Sequence, residues 1–165
     1  MRSLVLGRFQ PLHLGHVKMV EYAADKSTFI TVGVGSCNCS ETADNPFTAS
    51  EREWMLRESL DLKIPYELKR IPDFGDNGRW ISWIMENIGF DVFMTNSSAE
   101  RRIFEDADLK VESIPFFNRE VYWATEVRRR ILEDEDWASL LPQGTVRVLG
   151  AIDGIYRIKR LNGRA

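Results

Sequence analysis

A chain of 165 residues, 44% of them hydrophobic, is long enough to bury about two thirds of its unfolded surface in one core, so a single domain over residues 1–165 is expected. A formal charge of -3 and a pI near 5.5 exclude a protein built to coat nucleic acid, which needs a large positive surplus to displace counterions. The sequence shows no apolar run of about 18 residues and no signal-like opening, so a soluble, cytoplasmic chain without a membrane partner is expected.

Ser3 to Gly7 and Phe29 to Gly35 are rich in apolar and β-branched residues, and between them Val17, Val20, Ala23 and Ala24 recur at helical spacing. This predicts β-α-β. Cys37 and Cys39 follow the second strand, too close for an ordinary disulfide framework and without partners for zinc; no chemistry and no metal site are assigned to them. Thr48-Ala49-Ser50-Glu51 is a capping-box pattern that opens a helix to Leu60. Strands are predicted at Tyr66 to Ile71 and Asp91 to Thr95, with a helix from Arg79 to Ile88 between them. Lys110 to Ile114 reads as a short fifth strand, and helices are expected over Thr125 to Leu132 and Val146 to Ile152. Such alternation predicts an α/β fold: a Rossmann-like, doubly wound parallel sheet of about five strands with helices on both faces. Ligands on such sheets bind beyond the carboxyl ends of the strands.

The stretch LGRFQPLHLGH, residues 6–16, lies at such an end and holds both histidines of the chain. An ordinary loop histidine and a half-buried one would explain the pair without chemistry. Chance placement three residues apart with an intervening glycine is, however, on the order of one in a thousand. At a helix start the free N–H groups and the dipole favour anions, so His13 and His16, on one helix face, are placed to donate to phosphate oxygens. Gly15 is expected to leave room for the ligand.

GRFQPLHLGH resembles the signature of the HxGH nucleotidylyltransferases, and more narrowly of archaeal-type nicotinamide mononucleotide (NMN) adenylyltransferases. The resemblance implies transfer of AMP from ATP to NMN, giving NAD and pyrophosphate, with Mg2+ carried mainly by ATP and a homohexameric assembly. It further implies that His13 and His16 hold the ATP phosphates and that Gly7, Arg8 and Phe9 line the nucleotide. Asn45 to Arg52 resembles the family's N-P-F-T-A-G-E-R, which makes Arg52 a candidate phosphate contact on the NMN side; a solvated arginine early in a helix is the plainer reading. Pro72 to Trp80 resembles the stretch in which an asparagine reads the carboxamide and a tryptophan stacks on the nicotinamide, assigning Asn77 and Trp80 to NMN. Without the family, Asn77 is a good N-cap and Trp80, Trp83 and Ile84 form a core stripe.

Asn118 to Arg130 resembles x-R-x-x-Y-S-G-T-E-V-R-R-R, implying that Thr125 caps a helix and binds phosphate with Arg128 one turn later. A capped, solvated helix with three arginines is the alternative. Tyr122 and Trp123 read as packing residues. Two departures fall near the expected adenosine pocket: Thr95-Asn96-Ser97-Ser98 replaces serine-glycine-asparagine-proline, and Trp123-Ala124 replaces serine-glycine. With His13, His16 and Arg128 as the catalytic set, the expected chemistry is in-line attack on the α-phosphorus without an enzyme nucleophile. Alternatives are a related transferase acting on pantetheine phosphate, FMN or a small alcohol phosphate, or a non-catalytic nucleotide sensor.

Overall fold

The structure, a computed structural model, describes residues 1–118 and 120–165; Arg119, which falls in the fourth resembling stretch, lies outside the described residues. In chain order the elements are β1 (Arg2–Gly7), α1 (Leu14–Asp25), β2 (Phe29–Val34), α2 (Ala49–Ser59), β3 (Tyr66–Arg70), α3 (Asn77–Asn87), β4 (Val92–Thr95), α4 (Ser98–Glu105), β5 (Val111–Ser113), α5 (Ala124–Leu132), α6 (Gln143–Ala151) and α7 (Gly154–Leu161). The described residues gather into two compact units. One comprises Met1–Gly7, Met19–Cys37 and Leu62–Phe116; the other comprises Arg8–Lys18, Asn38–Asp61 and Phe117–Ala165.

The first unit holds a five-stranded sheet in the order β3-β2-β1-β4-β5, with every pairing parallel. β1 is central and is buried from Ser3 to Leu6, as a strand covered on both faces must be. Leu4 and Leu6 point into a cluster with Ile81 and Ile84 of α3, Ile88 just after it, and Phe104 of α4. Ser3 points the other way and shares a 2.5 Å hydrogen bond with Ser27, just past α1. Helices therefore lie on both faces, as right-handed crossovers on either side of β1 require. The order reverses between β1 and β4, the place where such sheets bind ligands.

The second unit is helical. Thr48 and Glu51 form the expected capping box: the Thr48 hydroxyl accepts from the Glu51 N–H and the Glu51 carboxylate accepts from the Thr48 N–H. Glu51 also binds Arg157 of α7 through both oxygens, at 2.6 and 2.9 Å. Arg157 and the Thr48 N–H together hold its carboxyl below the usual range against the opposing effect of burial.

Three expectations are corrected. Asp76, not Asn77, caps α3, accepting from the Arg79 N–H at 2.7 Å. Trp123, not Thr125, occupies the cap position of α5, and it is 59% exposed rather than packed. Two helices, α4 and α7, were not anticipated.

Candidate active site

Gly7 closes β1, its carbonyl accepting from the Gly35 N–H. The next residues open the second unit. Phe9 takes a left-handed backbone (φ 51) that few bulky residues adopt, and its buried ring sits edge-on to the His16 imidazole, centroids 4.9 Å apart. Gln10, 1% exposed, clips the backbone of Phe47 at both ends: its amide donates to the Phe47 carbonyl and its own oxygen accepts from the Phe47 N–H, each at 2.9 Å.

His13 stands immediately before α1 and His16 one turn inside it. Their rings are stacked, with centroids 3.6 Å apart and planes at 23°. The His16 N–H points at Nδ1 of His13 (3.3 Å) and the His13 N–H at Nδ1 of His16 (3.4 Å). This is a capping box built from imidazoles. Because each Nδ1 accepts, the proton of each neutral ring resides on Nε2, which makes both rings donors. Burial lowers the His13 pKa to about 3; burial, then His13 and Arg8, lower that of His16. Gly15 does not leave room for a ligand as expected. A Cβ there would stand 2.7 Å from Cβ of Tyr122 and 3.0 Å from Cε1 of His13, so the glycine lets Tyr122 and the His13 ring close over the helix start. Tyr122 is thus a packing residue, as anticipated.

The arginine run separates by role. Arg128 is 8% exposed and donates through Nη1 to the Gln10 carbonyl at 2.8 Å, while Nη2 lies 3.7 Å from the exposed Asp44 carboxylate. Burial lowers its pKa, Asp44 opposes that, and Arg8 adds to it. Arg129 and Arg130 instead pair with Glu126. Thr125 is exposed one turn before Arg128. Arg52 has no exposed surface: Nε donates to the Thr48 carbonyl at 3.2 Å and Nη1 to the Arg8 carbonyl at 2.8 Å. These bonds grip the backbone of the Arg8 loop. The Phe9 side chain is likewise fully buried, whereas the Arg8 side chain is exposed.

Asn77 and Trp80 belong to the first unit, where they line one cavity of about 330 Å³ with Asp73, Phe74, Asp76 and Ile103. Trp80 also meets Phe104 edge-on at 5.8 Å, so it is at once pocket wall and core cover. The loop that departs from the resemblance closes on itself: the Thr95 hydroxyl donates to Glu100 at 2.7 Å and accepts from the Ser97 N–H at 3.0 Å, and the Ser97 hydroxyl caps α4. Burial raises the Glu100 pKa, with the Thr95 bond opposing it. Among the described residues no three His, Cys, Asp or Glu side chains converge on a point that could hold a metal ion. No helix among them is long and apolar enough to cross a membrane.

The sequence model of the cytidylyltransferase-like family matches residues 4–130. Relatives named nicotinamide-nucleotide adenylyltransferase match over nearly the whole chain: one from Methanococcus aeolicus at 38% identity over 98% of this chain and 95% of its own, and one from Archaeoglobus fulgidus at 37% over 99% of both. This chain belongs to the nicotinamide-nucleotide adenylyltransferases. A third member of that family, from Thermococcus sibiricus, is 40% identical over 98% of this chain and 89% of its own. The adenylyltransferase fold is also that of a solved bifunctional NMN adenylyltransferase/ADP ribose pyrophosphatase from Francisella tularensis, crystallised with AMP and a manganese ion. That structure has a TM-score of 0.77 at 19% identity, covering 97% of this chain; this chain spans about half, 51%, of that one. Gln10 and Asp44 are two residues in contact with Arg128 that the sequence did not single out. Gln10 lies inside the quoted signature, where its position was the available signal; Asp44 carries none.

Proposed function

We propose that this adenylyltransferase joins the 5′-phosphate of NMN to the AMP part of ATP, releasing pyrophosphate and forming NAD, and that its 165 residues act as one cytoplasmic nucleotidylyltransferase domain. The observation that carries the reading is the stacked His13–His16 pair at a helix start, each Nδ1 turned to the other's backbone N–H, together with the buried Arg128 held on the Gln10 carbonyl of the same loop. In the reaction an oxygen of the NMN phosphate attacks the α-phosphorus in line, and the bond to the bridging β-oxygen breaks, its electron pair leaving with pyrophosphate. The attacking oxygen is already anionic, so the protein needs neither nucleophile nor general base; positioning and charge stabilisation carry the rate.

His13 and His16 donate to the phosphates through Nε2, Arg128 and Arg8 neutralise the charge that gathers on the leaving group, and Thr125 adds a hydroxyl donor. Bound triphosphate raises both imidazole pKa values, because nearby negative charge favours the protonated ring. Gly7 and the backbone of Phe9 line the nucleotide. Asn77 and Trp80 take the nicotinamide, a flat ring bearing one amide, in their shared cavity. Arg52 serves the site by fixing the Arg8 carbonyl. A divalent ion, Mg2+ in this reading, arrives as the counter-ion of ATP and lowers the charge of the triphosphate. Assembly as a homo-oligomer, a hexamer by resemblance, belongs to the same reading.

The test is incubation with ATP, Mg2+ and separate acceptors, namely NMN, nicotinate mononucleotide, pantetheine phosphate, FMN and glycerol phosphate, with both products quantified. NAD with equimolar pyrophosphate from NMN supports the reading. Preference for another acceptor would move the chain to another branch of the superfamily, and ATP binding without turnover would make it a sensor.

A further inference from the structure

We infer that Gln10 is a positioning residue for adenylyl transfer, the joint through which the segment before α2 and helix α5 hold the histidine loop in register. The inference rests on the adenylyltransferase reading of the site. Three observations carry it. The buried Gln10 amide satisfies both the N–H and the carbonyl of Phe47 at 2.9 Å, so it fixes that backbone in direction as well as distance. Its own carbonyl accepts from Nη1 of Arg128 at 2.8 Å, placing the buried guanidinium by reference to the same residue. Three positions later the chain reaches His13, whose ring is locked to His16.

Gln10 thus ties two phosphate-binding groups from distant parts of the sequence to one peptide unit. A second clamp, Arg52 on the Arg8 carbonyl, holds the other side of the loop, so the residues from Arg8 to His13 are gripped at two points. No other residue type fits the Gln10 task well. Glutamate accepts from the Phe47 N–H but cannot donate to its carbonyl when ionised, asparagine is one methylene short, and leucine leaves both Phe47 groups buried without partners. A displacement of about 1 Å in a reacting assembly can lower a rate about a hundredfold, which is the scale on which a loosened joint would register.

The experiment compares wild type, Gln10→Leu and Gln10→Glu with Leu149→Ala, a core truncation of the same unit that serves as the control for lost stability. Steady-state kinetics on ATP and NMN are measured alongside amide hydrogen exchange of residues 8–13. The positioning role predicts that kcat falls at least tenfold in Gln10→Leu, with the KM for ATP within threefold of wild type. Gln10→Glu should fall between, and exchange in residues 8–13 should rise in both Gln10 variants. In an Arg128→Ala background, Gln10→Leu should cost less than in wild type, because part of its effect passes through the group already removed and the remainder through the His13 loop. If Gln10→Leu does not fold, Gln10→Glu carries the same comparison. A kcat within twofold of wild type in the folded Gln10 variants, or an equal loss in Leu149→Ala, would overturn the inference. Absence of NAD formation by wild type would instead overturn the functional reading, while the exchange data would still report whether Gln10 holds the loop.

Discussion

The imidazoles of His13 and His16 lie face to face, 3.6 Å between centroids, each with its Nδ1 turned toward the other's backbone N–H. On the proposed reading the pair meets a ligand as two aligned Nε2–H donors whose orientation is set before binding. Removing one preorganised donor to a transition-state oxygen typically costs about a hundredfold in kcat, at least ~2.7 kcal/mol. His16→Ala should lose that much in NAD formation; turnover within threefold of wild type would remove His16 from the chemistry.

Gly15 is confined by Tyr122 and the His13 ring. Gly15→Ala should destabilise the fold by about 1–3 kcal/mol through overpacking and should lower kcat, because the His13 ring is among the atoms that must move. Combining it with Tyr122→Gly relieves the 2.7 Å contact and should restore part of both losses. Thermal unfolding and turnover of the single and double variants check this.

Both histidine pKa values are lowered in the folded protein relative to the ordinary value of 6.5. Below about pH 6.5 the unfolded chain binds more protons than the native one, so their contribution to stability is complete above that pH and is lost as pH falls toward about 3, where His13 titrates. His13 alone should cost the native state about 1.4 kcal/mol between about pH 7.5 and about pH 5.5. Urea unfolding at the two pH values should show a loss smaller by about that amount in His13→Asn than in wild type, the His16 share remaining in both. An equal loss in both proteins would place the pH response elsewhere.

Asp44 is a carboxylate beside the buried Arg128, 3.7 Å from Nη2, where ATP is expected to bring phosphate. Ligand and carboxylate compete for one guanidinium, and the carboxylate also repels the ligand. Asp44→Asn should therefore tighten ATP binding by up to about fivefold, as expected of a partly exposed ion pair worth up to about 1 kcal/mol. Calorimetric titration with a non-hydrolysable ATP analogue measures it; weaker binding in Asp44→Asn would give Asp44 a supporting role instead.

The sheet was legible in the sequence because buried parallel strands read as short apolar runs, and all five were located to within two residues. The start of α2 was legible for a different reason, since Thr48 and Glu51 carry their capping chemistry in their identities. Helix α4 escaped notice because its eight residues offer little apolar periodicity beyond Ile103 and Phe104. Its actual signal was the Ser97 cap three residues before Glu100. Helix α7 is read only with its partner: Arg157 is a solvated residue in sequence and a buried-side ion pair with Glu51 in the fold. Within the site, the histidine pair was legible through rarity and spacing. The inward turn of Arg128 and the outward pairing of Arg129 and Arg130 were not, because three identical residues in a row differ only in what the helix places against them. Arg52 illustrates the same limit. Its sequence context pointed to a phosphate and gave no sign of the two backbone carbonyls it also holds.

Because the chain has two histidines, imidazole 15N spectra report each ring separately, and their response to a non-hydrolysable ATP analogue with Mg2+ tests the phosphate-donor role directly. The free protein at neutral pH should show two neutral rings protonated at Nε2, and saturation with the analogue should shift both Nε2 resonances, moving the rings toward the protonated form. A protein that binds the analogue calorimetrically while both imidazoles keep their free-state resonances would contradict the account.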